Sequence, residues 1–255
     1  MTRRRPPTPT PNWIPVAAIG LNEGKVSMSN VALFISAQAR VGAGRSGRRT
    51  GVVADALGAG FDRLLAGVLL VLLTPVLVTV AALVWRADGA PILFGHYRVG
   101  RNGGLFRCLK FRSMRRDADA VLAALLARDP HAAMEWERDR KLTRDPRVTA
   151  VGDFLRRTSL DELPQLFNVV RGDMRLVGPR PVTVAELEKY GGSRWHYVSV
   201  RPGMTGLWQV SGRNDTSYEE RVALDRRYVE SRSMVRDLAI LFRTVGVVLR
   251  RKGAR

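Results

Sequence analysis

The chain has 255 residues, enough for one sizeable domain and an appendage. Lys and Arg number 42 against 23 Asp and Glu, a formal charge of +19 that calls for an anionic partner: nucleic acid, anionic lipid or a phosphorylated substrate. A single cysteine, Cys108, excludes an internal disulfide and a cysteine metal cluster and fits a reducing, cytoplasm-facing location, while the scattered His96, His131 and His196 give no zinc spacing.

Residues 1–54 read as a poorly ordered N-terminal extension. Pro6, Pro7, Pro9, Pro11 and Pro15 punctuate its start, and residues 42–51 are rich in Gly and Arg without a period. Pro15 interrupts the short apolar part and Asn22-Glu23 follows it, which argues against a signal peptide; Met28 is an alternative start. Gly42-Ala-Gly-Arg-Ser-Gly47 matches G-x-G-x-x-G, and Asp62 has the spacing of the ribose-binding acid. Asp62 opens an uncharged apolar run and not a second Rossmann strand, so the match is read as chance.

Leu64 to Trp85 carries no charge and is long enough to span a bilayer. Thr74-Pro75 lies in its middle. Proline bends or breaks a helix there, and the Thr hydroxyl can satisfy part of the freed backbone. Arg45, Arg48, Arg49 and Arg63 precede the run, and Arg86, Arg98 and Arg101 follow it. Positive charge at both ends favours the same, cytoplasmic side for both, which a hairpin bent at Pro75 achieves. An ordinary span with a proline kink fits the apolar run equally well.

Ile92–Val99 and Leu105–Arg112 flank Arg101-Asn-Gly-Gly104 and read as a β-hairpin. Alternation puts Lys110 and Arg112 on one face with Phe106 and Cys108, opposite Leu109 and Phe111. Two cations on one face suit either a ligand or a solvated edge carrying protective charges. Residues 117–127 and 131–141 read as two scaffold helices.

The stretch 155–181, LRRTSLDELPQLFNVVRGDMRLVGPRP, sets Asp161 and Glu162 among Arg156, Arg157, Arg171, Arg175 and Arg180. Pro164 belongs in a first helical turn, so a helix is expected to start near Leu160 or Asp161, with both acids at its positive end. Neighbouring helical residues stand about 100° apart, so the acids suit a division of labour: one attacks phosphorus, the other holds a cation. Ser159 with Glu162 also reads as a plain capping box. Downstream, residues 201–213 form a glycine-punctuated loop with Trp208, Arg201 and Arg213, fit to wrap a polar ligand or merely to connect. Thr216 or Ser217 caps a helix over 218–230. Residues 234–251 carry an apolar face beside an arginine stripe, Arg236, Arg243 and Arg250, which reads as an interfacial helix on anionic lipid or as a core-facing helix with solvated arginines.

Taken together, Thr158-Ser-Leu-Asp-Glu-Leu-Pro-Gln-Leu166, Asn168, Gly172-Asp-Met174 and Val177-Gly-Pro-Arg-Pro181 resemble the bacterial sugar transferase family, the monotopic phosphoglycosyl transferases. The likeness runs from about Phe61 to the C-terminus, includes the family's Lys-Phe-Arg motif at Lys110–Arg112, and replaces the family's Ser-Pro break with Thr74-Pro75. The loop over 201–213 is most similar to the branch that transfers glucose- or galactose-phosphate.

The resemblance implies an α+β, mostly helical, membrane-associated fold. It would comprise a re-entrant helical hairpin over 55–90, a β-hairpin, and a compact cytosolic catalytic domain over 91–255. It implies transfer of a hexose-1-phosphate from a UDP-sugar to undecaprenyl phosphate on the cytoplasmic face of the bacterial inner membrane, starting exopolysaccharide, O-antigen or capsule assembly. Asp161 would be the nucleophile and Glu162 the ligand of a magnesium ion. Lys110, Arg112, Arg156 and Arg180, and more weakly Arg175 and Arg213, would bind phosphate. The implied partners are the UDP-sugar, undecaprenyl phosphate and membrane lipid, with a homodimer left open. Nucleic acid is not among them; a basic, membrane-anchored interaction protein or a nucleic-acid-binding protein without catalysis is the competing reading.

Overall fold

The computed structural model describes residues 49–139, 141–212 and 216–249. The Gly42–Gly47 match, the Met28 start and Arg213 lie outside the described residues, as does nearly all of the N-terminal extension. Helices dominate the described chain, with two small two-stranded sheets.

Helices α1 (Arg49–Leu72) and α2 (Thr74–Asp88) meet at a 65° bend. Pro75, at the start of α2, has no N–H to give to the ladder. The Thr74 hydroxyl donates to the Leu70 carbonyl at 2.8 Å, so the bend leaves that acceptor satisfied. The break expected at Thr74-Pro75 is therefore present. No single described helix is long and apolar enough to cross a membrane; residues Asp55–Leu72 and Thr74–Asp88 reach that measure only as a bent pair. Leu64, Val68, Val71 and Leu72 on α1, with Val78, Leu83 and Trp85 on α2, form an exposed apolar outer surface.

Strands β1 (Leu93–Val99) and β2 (Leu105–Phe111) pair antiparallel from Leu93 with Phe111 to Val99 with Leu105. Asn102 takes φ 59° in the turn, a left-handed conformation that Asn tolerates. Helices α3 (Ala118–Arg128) and α4 (Pro130–Asp139) follow close to their expected bounds. Helix α5 (Ala150–Thr158) is capped by Thr149, whose side chain accepts from the Gly152 amide.

The next helix departs from expectation. Ser159 takes φ 59° and ends α5, residues Leu160–Glu162 make a 3-10 turn, and α6 (Gln165–Arg171) begins only after Pro164. Asp161 and Glu162 therefore precede the helix. The Ser159–Glu162 capping box does not form: Ser159 offers Glu162 its backbone carbonyl, at 3.3 Å, and the Glu162 side chain is drawn elsewhere.

Asn168 on α6 is fully buried and fastens β2. Its Oδ1 accepts from the Leu109 amide at 3.0 Å and its Nδ2 donates to the Arg107 carbonyl at 2.8 Å. That contact covers the outer edge of β2, which overturns the solvated-edge reading of the hairpin. Cys108 packs with Ala66, Leu166 and Val169, while Phe111 packs with Val80, Val84 and Leu155, so both faces of β2 are covered as well.

A parallel pair absent from the expectations, β3 (Arg175–Val177) and β4 (Gly203–Thr205), joins the central stretch to the glycine-rich loop. Gly178 and Gly203 touch backbone to backbone: a Cβ on Gly203 would lie 2.0 Å from the Gly178 nitrogen. Short helices α7 (Val184–Glu188) and α8 (Arg194–Val198) lead to β4. Of the two expected caps for α9 (Tyr218–Glu230), Ser217 is the one used, in a capping box with Glu220. Helix α10 (Met234–Leu249) buries Ile240 in the core beside Met174 and Tyr228, and exposes Val235, Phe242 and Val245. It thus has an inward face and an apolar outward one.

Candidate active site

The 3-10 turn after α5 holds the Asp161 and Glu162 side chains against strand β2. Lys110 Nζ donates to Glu162 Oε1 at 2.7 Å and lies 3.8 Å from Asp161 Oδ2. Arg180 Nη2 donates to the same Glu162 oxygen at 3.2 Å. Both cations take Oε1 and neither donates to Oε2. The acids thus share one ammonium although neighbours on a 3-10 turn stand about 120° apart, because Lys110 reaches both from strand β2.

Their titration is split. Burial opposes ionisation of Glu162, yet Arg180 and Lys110 outweigh it and hold the carboxyl down at about 2. Burial lifts the Asp161 carboxyl above its ordinary value; Lys110 works against that lift and the Glu162 charge adds to it. Burial outweighs the pull of Lys110, Arg156 and Arg180 toward the ionised form. Burial likewise pushes the Cys108 thiol up, which makes it inert packing.

The remaining candidates divide. Arg156 lines the same cavity of about 1230 Å³ as Asp161 and Glu162 and donates through Nε to the Ser113 hydroxyl at 2.9 Å. Arg112 also lines it, but its Nη2 is spent on the Asp88 and Gly89 carbonyls, at 3.0 and 2.8 Å, where α2 ends. Its Nη1 is buried with no hydrogen-bond partner among the described residues. Arg175 is placed elsewhere. It is 7 % exposed, its Nε is bonded to Asp62, and its Nη1 donates to Asp55 Oδ1 at 3.1 Å. Two carboxylates from α1 neutralise it, so it clasps the bent helix pair to β3 and is not a phosphate ligand. Arg157 and Arg171 pair with Asp153 and Asp173 on the surface.

No group of three or more His, Cys, Asp or Glu suited to a metal occurs among the described residues. Magnesium commonly needs fewer, taking one or two carboxylates together with waters and substrate phosphates. An ionised Glu162 with Oε2 available, beside Asp161, fits that donor set.

The cavity continues past these residues. It is bordered by Leu65, Leu69 and Leu73 of α1 and Leu241 and Val245 of α10, and by a polar wall with Tyr190, Trp208, Gln209, Tyr218 and Arg221. That second wall went unremarked in the sequence apart from the glycine-rich loop that carries Trp208 and Gln209.

Comparison with known proteins adds lineage to this geometry. The profile of a family described as bacterial sugar transferase matches residues 53–251. The chain is 58% identical over 194 residues to a UDP-galactose-lipid carrier transferase of Erwinia amylovora, covering 76% of this chain and 40% of the relative. It is 50% identical over 194 residues to the exopolysaccharide production protein ExoY of Sinorhizobium fredii, covering 76% of this chain and 86% of that protein. It is 39% identical over 196 residues to a UDP-glucose:undecaprenyl-phosphate glucose-1-phosphate transferase of Escherichia coli, covering 72% of this chain and 38% of the relative. The chain thus spans about two fifths of the length of the first and third of these relatives.

Proposed function

Because this chain belongs to the bacterial sugar transferase family, we propose that it transfers a hexose-1-phosphate, from glucose or galactose, from a UDP-sugar to undecaprenyl phosphate. The observation that carries the reading is the convergence of Lys110 and Arg180 on Glu162, with the buried Asp161 beside it in one cavity. A diphosphate repels a carboxylate nucleophile unless fixed cations offset its charge. Lys110, Arg180 and Arg156 supply that charge here. A membrane-anchored interaction protein would have no use for such an arrangement.

The reaction has two displacements. An Asp161 carboxylate oxygen bonds to the sugar-bearing phosphorus, and the bond from that phosphorus to the UMP oxygen breaks. An oxygen of undecaprenyl phosphate then bonds to the same phosphorus, and the bond to Asp161 breaks. The carboxylate is regenerated, and the lipid leaves as a diphosphate sugar. Glu162 would hold magnesium through Oε2, and that ion, when bound, neutralises phosphate charge. Arg156 and Arg112, through Nη1, orient phosphate oxygens.

The same reading places the enzyme on the cytoplasmic face of the bacterial inner membrane. Residues 55–90 would enter and leave one leaflet, and residues 91–255 would form the cytosolic catalytic domain. The exposed apolar surface of α1 and α2 and the outward Val235, Phe242 and Val245 of α10 support it. The product would start exopolysaccharide, O-antigen or capsule assembly. UMP release by the purified protein from UDP-glucose or UDP-galactose, with and without undecaprenyl phosphate, tests the proposal. Release from neither sugar nucleotide rejects it. Release only when lipid is present rejects the covalent route.

A further inference from the structure

Three buried polar atoms around the cavity lack partners among the described residues: Arg112 Nη1, Asp225 Oδ1 and Gln209 Oε1. They differ in what they need. Arg112 Nη1 is a donor and calls for an acceptor, which any phosphate supplies. Asp225 lies behind Tyr190, whose hydroxyl donates to its Oδ2 at 2.8 Å. Burial raises the Asp225 carboxyl to about 7, so near neutrality its unpaired oxygen can act as donor or as acceptor and specifies no one ligand.

Gln209 has no such latitude. An amide oxygen does not protonate, and leaving it buried and unpaired costs about 1–3 kcal/mol. Its orientation is set, because Nε2 donates to the Met204 carbonyl at 3.3 Å and exchanging the two amide atoms would turn oxygen against oxygen. The loop beneath is held too: a Cβ on Gly206 would lie 2.3 Å from the Gly178 carbonyl, so this segment rests directly on the turn that carries Arg180. Trp208, buried with the Arg221 guanidinium 4.8 Å over its ring, braces the wall beside it.

The ligand for Gln209 Oε1 must therefore bring an N–H or O–H. An ionised polyprenyl phosphate brings neither; its phosphate accepts and its chain is hydrocarbon. A sugar nucleotide brings both, on the hexose and ribose hydroxyls and on the uracil imide. We propose that Gln209 is a donor-recognition residue, accepting a hydrogen bond from the neutral part of the sugar nucleotide while the diphosphate lies against Lys110, Arg180 and Arg112. This rests on the transferase reading above and assigns one wall of the cavity to the nucleotide sugar and not to the lipid.

The test is titration of the purified full-length protein, wild type and Gln209→Met, with UMP, N3-methyl-UMP, UDP-glucose and UDP-galactose, alongside steady-state KM for undecaprenyl phosphate. Met matches Gln in length and removes the acceptor; thermal melting of the variant checks that it folds. Loss of one hydrogen bond weakens affinity by about tenfold. If N3-methylation weakens UMP about tenfold in wild type and not in the variant, the uracil imide is the group read. If the variant binds UMP normally but loses about tenfold toward UDP-glucose or UDP-galactose, it is a sugar hydroxyl. Either supports the assignment. Unchanged binding of all four ligands, or a loss confined to the lipid KM, overturns it. Should Gln209→Met fail to fold, Gln209→Asn, which keeps the amide and withdraws it by one methylene, is titrated in its place, and unchanged binding of all four ligands again overturns the assignment. Because binding is read without turnover, a protein that binds UDP-sugar yet releases no UMP would reject the proposed reaction and leave the Gln209 result standing.

Discussion

Replacing Arg175 by Met separates a structural clasp from a phosphate ligand. Arg175 joins β3 to Asp62 and Asp55 of α1, and Asp62 also accepts from the Leu176 amide at 3.3 Å. At 3.1 Å the Asp55 pair alone is worth about 5 kcal/mol of gross attraction at an effective dielectric constant near 20. Most of that is offset by desolvation. Removing Arg175 strands Asp62, while Asp55 keeps Arg232 and Arg101, and loss of one partner of a buried pair typically costs about 3–5 kcal/mol. Asp62 is 8 % exposed and would be left with a buried charge. For a chain of this size that loss lowers the melting temperature by roughly 6–20 °C. Thermal unfolding of the detergent-solubilised protein measures it. Adding Asp62→Asn should recover part of the loss, with a coupling of about 1–3 kcal/mol in the double-mutant cycle. Gly58→Ala should act in the same direction more mildly, since its Cβ would lie 2.7 Å from Arg175 Nη2. A variant that melts like wild type but no longer binds UMP would refute the clasp and restore Arg175 to the phosphate ligands.

Asp161→Asn should fold and lose turnover by several orders of magnitude, and intact-protein mass after incubation with UDP-sugar should show a hexose-phosphate adduct on wild type only; an active variant removes Asp161 as nucleophile. Lys110→Met should move the acid limb of the pH–rate profile upward, because Lys110 lowers both carboxyl pKa values; an unmoved limb contradicts the shared ammonium. Glu162 sits at about 2 against an ordinary 4.5, so it adds stability above pH 4.5 that is lost as pH falls toward 2. The melting gap between wild type and Glu162→Gln should close across that window, and a gap independent of pH would deny the ion pairs. Chelation should abolish UMP release and magnesium restore it, whereas full activity in EDTA excludes the metal. Pro75→Ala should straighten the bent pair, read as altered accessibility of a probe cysteine near Arg49 in a Cys108-free background; unchanged labelling assigns the bend to packing rather than to proline.

Local chemistry was legible in the sequence and long-range pairing was not. Asn102-Gly103 announced the hairpin, Thr74-Pro75 the bend and Ser217 with Glu220 a helix start, because each acts within a few residues. Arg175 and Arg180 look alike in the chain. What separates them is Asp62, 113 residues before Arg175, against Glu162, 18 residues before Arg180. Asp161 and Glu162 were found by type and position, yet their turn was misjudged, because Ser159 enters a left-handed conformation that no rule about Pro164 reveals. The β3–β4 pair is not legible in the sequence because strands of three residues are too short to carry a period.

The backbone contact between Gly178 and Gly203 bears on how such an enzyme can diversify. With Gly206 against the Gly178 carbonyl, three positions admit no side chain unless the main chain moves. Arg180 lies two residues from that contact and Gln209 three from Gly206. A substitution at any of the three glycines would displace a group at Glu162 and a group on the facing wall together, so neither could drift independently. Change is channelled instead into residues that border the cavity from helices, such as Tyr218 and Arg221 on α9 or Val245 on α10. An engineer seeking a different sugar would randomise those helical positions and hold the glycine trio constant.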